Sequence, residues 1–135
     1  MDLDRALRIS AAGMAAQSTR LRVVAENLAN RDSTGESAGA DPYRRRTVSF
    51  ANRLDRSLGA EVVGVSRIGT EPGDFPTRFD PAHPAADARG YVKLPNVNSV
   101  VEVMDMREAQ RSYSANLSVL ETTRGMLTRA IEALR

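Results

Sequence analysis

The 135 residues carry 19 basic and 17 acidic side chains, one histidine and no cysteine or tryptophan, enough chain for one modest domain or for two long helices with a small insert. Without cysteine there can be no disulfide or thiolate metal site, and charges of both signs interleave with no basic tail or acidic arm to suggest a nucleic-acid partner. No apolar run approaches the ~20 residues of a membrane span, so direct membrane insertion is not expected.

The first predicted element is an N-terminal helix within residues 1–30. Leu7, Met14, Leu21 and Leu28 recur every seven positions, with Leu3 and Val24 on a companion row that also holds Ser10 and Gln17. Between these rows Ala11, Ala12, Gly13, Ala15 and Ala16 form a thin strip where another helix backbone can approach closely. Gly13 costs a helix about 1 kcal/mol relative to alanine, so the segment should be marginal alone. Asn27-Leu28-Ala29-Asn30 closes it, with Asn30 a candidate for the left-handed conformation that ends helices. The opening Met1-Asp2-Leu3-Asp4 is acidic and amphipathic, unlike a secretory signal, so any passage out of the cytoplasm should proceed without a cleaved signal peptide.

Residues 31–95 read as a β-rich, loop-rich insert. A polar, glycine-bearing loop over 31–41 precedes a turn and strand over 42–50, and residues 60–68 supply a partner strand with Val63, Val65 and Arg67 on one face. Four prolines in 69–90 predict ordered loop with little regular structure. Residues 90–94 form a last short strand, which Pro95 stops.

The C-terminal helix, residues 96–135, contains no proline and one glycine. Val103, Leu117 and Ile131 fall on one heptad row, and Met106, Tyr113, Leu120, Leu127 and Leu134 on the row three positions later, with Gln110 and Arg124 as polar interruptions. Ser99 and Glu102 fit a capping box, with Asn96 and Asn98 as alternative caps. At 1.5 Å per residue the helix would span roughly 55–60 Å, too long for the rest of a small chain to cover. The expected fold is therefore mainly α: long N- and C-terminal helices paired as an antiparallel, coiled-coil-like hairpin forming one helical domain, with the insert between them.

Chemistry finds little support. His83 is the only histidine, the close carboxylate pairs (Asp2 with Asp4, Asp80 with Asp87) lie in a terminus or loop, and the glycines make no phosphate-binding spacing. No catalytic residue, metal or cofactor is expected. Arg44-Arg45-Arg46 is the one local basic run. A coiled-coil nucleic-acid-binding protein using it is the alternative from another class, but arginines on a strand project to both faces, and an ion-paired surface fits better. A hydrolase built on Asp80, His83 and Asp87 is a weaker rival. What stands out is helical apolar surface without enough protein to shield it, interrupted by polar seam residues that weaken a generic coiled coil while restricting its partners.

Three stretches carry a resemblance. Asn27-Leu28-Ala29-Asn30 at the end of an amphipathic helix resembles a signature of bacterial flagellar rod and hook proteins. The run Gly90-Tyr91-Val92-Lys93-Leu94-Pro95-Asn96-Val97-Asn98, with Asp80-Pro81, Pro84 and Ala86-Asp87-Ala88 upstream, is similar to the segment before the C-terminal helix of the family's proximal rod members. Arg111-Ser112-Tyr113-Ser114-Ala115-Asn116-Leu117 with Val119-Leu120 resembles the family's C-terminal motif. The resemblance covers nearly the whole chain in order, and the short length matches the proximal members. The turn Arg31 to Gly35 departs from the family, as does Ala85 where a larger apolar residue is expected.

The resemblance implies a non-catalytic structural subunit of the flagellar basal body, passed out by the flagellar type III export apparatus and assembled in the periplasm into a helical tube, the rod. Its partners would be other copies of itself, other rod proteins and the export apparatus. The expected assembly surface comprises Leu7, Met14, Leu21, Asn27, Leu28 and Asn30 on the first helix. On the second it comprises Val103, Tyr113, Asn116, Leu117, Leu120, Leu127 and Ile131.

Overall fold

A computed structural model describes residues 2–135; Met1, part of the acidic opening tetrapeptide, lies outside the described residues. Helix α1 (Leu3–Ala29) and helix α2 (Ser99–Ala133) bracket four strands, β1 (Arg46–Asp55), β2 (Ala60–Thr70), β3 (Thr77–Phe79) and β4 (Tyr91–Lys93). The strands form two two-stranded sheets, β1–β2 and β3–β4. The chain divides into two compact units, one of residues 2–21, 48–67 and 106–135, the other of residues 22–47 and 68–105.

In the first unit Asp2 caps α1 by accepting the Arg5 amide at 3.1 Å, satisfying a donor that the first turn leaves open. Gly13 lies against Asn116, and Arg20 reaches Glu108 at 3.6 Å. As α1 ascends in sequence α2 descends, so the helices are antiparallel neighbours. The β1–β2 hairpin turns at Asp55, whose carboxylate accepts the Ser57 amide at 2.9 Å and hydroxyl at 2.6 Å, and Gly59 supplies the positive φ of 63° that closes it. Leu58 and Val62 are its buried side chains. On the 63/65/67 face Val63 is half-buried and Val65 and Arg67 are exposed.

The second unit holds the last turns of α1, the first turns of α2 and the β3–β4 pair, which is antiparallel with Phe79 opposite Tyr91. Strand β3 lies inside the stretch expected to lack regular structure. Its partner is supplied from across the loop, with the Leu94 amide donating to Pro76 at 2.7 Å and the Asp80 amide to Gly90 at 2.9 Å, and proline content does not report such pairing. Gly90, at φ 85°, has Phe79 Cε2 2.9 Å from where a Cβ would stand, so both conformation and space require glycine. Asn30 is not left-handed: no described non-glycine residue has positive φ, and Asn30 instead ends α1 by donating from its backbone and side-chain amides to the Glu26 carbonyl at 3.1 and 2.9 Å. Nor does Ser99 cap α2. Asn98 does, accepting the Val100 amide at 3.0 Å, because Glu102 is drawn inward.

Candidate functional site

The centre of the second unit is polar. Its largest fully buried side chains are Glu102, Val92 and Asn27. Asn27, on the last turn of α1, makes every hydrogen bond its amide allows. Its Oδ1 accepts from the Tyr43 hydroxyl at 2.7 Å and the Arg46 amide at 2.9 Å, while Nδ2 donates to the Arg46 carbonyl at 2.9 Å and to Glu102 Oε2 at 3.3 Å. The other Glu102 oxygen takes Arg45 Nε. The rest of that guanidinium reaches Glu71 Oε2 at 2.9 Å and Asp105 Oδ2 at 3.2 Å, so one cation faces three carboxylates.

Backbone bonds lock the same residues in place. The Arg45 amide donates to Asn96 Oδ1 at 2.7 Å, and its carbonyl accepts the Glu71 amide at 2.8 Å. This is why β1 begins at Arg46 rather than at residue 42: the backbone of 43–45 is engaged with Ser33, Asn96 and Glu71. Burial works to lower the Arg45 pKa, but hydrogen bonds to Glu102 and Glu71, with their negative charge, overcome it and raise it. For Tyr43 burial acts the other way and raises the pKa, reinforced by Glu26 and opposed by Arg46. Arg46 itself pairs with Glu26 at 2.7 Å. The clasp thus joins the end of α1, the start of β1, the end of β2 and the start of α2 through hydrogen bonds rather than apolar contact.

Within the first unit the helices meet through small side chains. Ser10, Gly13 and Ala16 are the buried positions of α1 there, and Ala109 and Thr123 those of α2. A Cβ on Gly13 would stand 2.8 Å from Asn116 Nδ2, so the helices approach closely here, as the small-residue strip suggested, and a larger residue would have to displace the Asn116 side chain. The heptad residues of this unit flank the contact: Leu7, Met14 and Leu21 are half-buried, as are Tyr113, Leu117 and Leu120; Asn116, in the contact, and Leu28, in the second unit, are half-buried too. Val103, Leu127 and Ile131 are exposed, Ile131 at 52 % and its neighbour Leu134 at 88 %. Asn30 is half-buried and accepts the Ser33 hydroxyl at 3.0 Å.

The rival readings meet engaged side chains. Arg45 and Arg46 are ion-paired, and Arg44 lies 4.2 Å over the Phe75 ring while donating to the Glu71 and Gly73 carbonyls at 2.9 Å. His83 accepts the Ala85 amide at Nδ1, 3.0 Å away, which puts its proton on Nε2, 3.4 Å from the Thr34 hydroxyl. Asp87 accepts the Arg89 and Tyr91 amides at 2.8 and 3.0 Å. These groups build loop turns rather than a site aimed at substrate. Sequence reasoning read Arg45 only as part of an ion-paired basic run and Glu102 only as half of a capping box, and it missed Glu71. The one available signal was a glutamate at 102 on the same side of α2 as Ala109 and Asn116.

Comparison with known proteins fits this architecture. The family model described as "Flagella basal body rod protein" matches residues 7–35, and "Flagellar basal body rod FlgEFG protein C-terminal" matches residues 88–133. A flagellar basal-body rod protein FlgC of Agrobacterium fabrum is 51 % identical over 133 residues, covering 98 % of this chain and 96 % of the relative. The FlgC of Aquifex aeolicus is 42 % identical over 134 residues, 98 % of each chain, and that of Salmonella typhimurium 40 % over 125 residues, 91 % of each.

Proposed function

Because the chain belongs to the FlgC family of flagellar basal-body rod proteins, we infer how it does its work as a structural subunit of the rod, assembling with other rod proteins. The subunits stack as a helical tube that surrounds the export channel and carries torque outward, since heterologous contacts that do not close generate helices rather than rings. Residues 1–30 and 96–135 act as one helical domain packed beside those of neighbouring copies, and residues 31–95 face outward. The subunit reaches the periplasm through the flagellar type III export apparatus without a cleaved signal. No described helix is long and apolar enough to cross a membrane.

One observation carries this reading. Ile131 near the end of α2 and Leu134 just after it are exposed, apolar surface that a neighbouring subunit can bury. The half-buried rows Leu7, Met14, Leu21, Leu28 and Tyr113, Leu117, Leu120 would extend the same contact, joined by Val103 and Leu127. Asn27, Asn30 and Asn116 would contribute indirectly, by shaping the subunit that presents it. The test is Ile131→Asp. An exposed substitution should change subunit stability by no more than about 0.5 kcal/mol, while cells carrying only this variant lose motility and yield basal bodies without a completed rod. Normal rods in those cells would overturn the proposal.

A further inference from the structure

The clasp does more than fasten four segments. We propose that the Asn27–Arg45–Glu102 network couples the inner ends of the two helices to the insert, so that the last turn of α1, the β1 and β2 strand ends and the first turns of α2 order and open as one event. Asn27 divides its bonds between Tyr43, the Arg46 backbone and Glu102, and Arg45 divides its own between Asn96, Glu71, Glu102 and Asp105. No segment can leave alone. If α2 frays, Asn27 and Arg45 lose Glu102; if the strand ends peel away, Glu102 stays in a desolvated pocket without its cation.

Apolar contacts are nondirectional and survive partial or shifted packing. A fully satisfied polar network in a low-dielectric setting does not, because each half-open state leaves a buried donor or charge unpaired. The apolar residues buried in this unit, Val23, Val24, Ala85 and Val92 with Pro42 and Pro95, are small and offer little to hold a partly opened form together. Coupling is a property of the free subunit and does not depend on the rod assignment, so an assembly defect and a coupling defect can be told apart.

Native-state hydrogen exchange on the full-length chain tests it. The reporters are the amides of Asn30, Arg46, Glu71 and Glu102, which lie in the four segments and are all hydrogen-bonded. In the unaltered protein their opening constants should agree within about threefold and respond alike to denaturant. In the double variant Arg45→Met with Glu102→Leu, where apolar contact replaces the charges, they should spread by about tenfold or more, with Glu102's neighbours on α2 opening first. If the unaltered protein already shows one segment opening tenfold more readily than the rest, the proposal fails whatever the variant does. A variant whose amides still open together overturns it too.

Discussion

Removing the clasp from either side should have unequal consequences. Arg45→Met withdraws the one guanidinium between Glu71, Glu102 and Asp105. Glu102 is fully buried and keeps only the Asn27 amide at 3.3 Å. Breaking a buried pair in this way costs about 3–5 kcal/mol. Glu102→Leu leaves Arg45 with two carboxylates and Asn27 with the Arg46 carbonyl. Its cost is one charge-assisted hydrogen bond less the gain from an apolar side chain, about 1–3 kcal/mol. In the double variant the remaining acids, Glu71 and Asp105, are 46 % and 29 % exposed and can hydrate. The double variant should therefore be more stable than Arg45→Met alone, with a coupling of about 2–3 kcal/mol. Urea unfolding of all four proteins reads this directly. With a slope near ~2 kcal/mol per molar, Arg45→Met should lower the midpoint by about 2 M. Effects that add within about 0.5 kcal/mol, or an Arg45→Met cost below ~1 kcal/mol, would refute the reasoning.

Two further outcomes follow from the same geometry. Gly13→Ala gains up to about 1 kcal/mol of helix propensity but sets its Cβ 2.8 Å from Asn116 Nδ2, so it should be near neutral alone and stabilising in an Asn116→Ala background. Gly13→Val should cost about 1–3 kcal/mol by thermal unfolding, because the excess volume has nowhere to go. Tyr43 has a pKa raised by burial and by Glu26, so its contribution is complete below the ordinary tyrosine value of about 10 and is lost as pH climbs through the higher folded value. Tyr43→Phe should thus flatten the alkaline fall in stability and cost about 1 kcal/mol at neutral pH. An unchanged alkaline slope in the variant would count against the Tyr43–Asn27 bond.

Sequence alone determined the two helices, the hairpin between them and the place of the last strand. α1 spans Leu3–Ala29 inside the predicted residues 1–30, and α2 begins at Ser99 inside the predicted residues 96–135. Helical periodicity, proline punctuation and β-branched runs act through near neighbours, so they can be read from spacing. The tertiary structure decided which face of each helix turns inward. The small-residue strip already marked Gly13 and Ala16 on α1 for close approach, but heptad spacing favours large apolar positions on α2, and only the fold puts Ala109 in the contact and leaves Ile131 and Leu134 outside. It also decided that a capping candidate becomes a buried anion. Glu102 meets Asn27 across 75 positions and Arg45 across 57. A charge enters a desolvated site only when its partners arrive there too, and that meeting exists only in three dimensions.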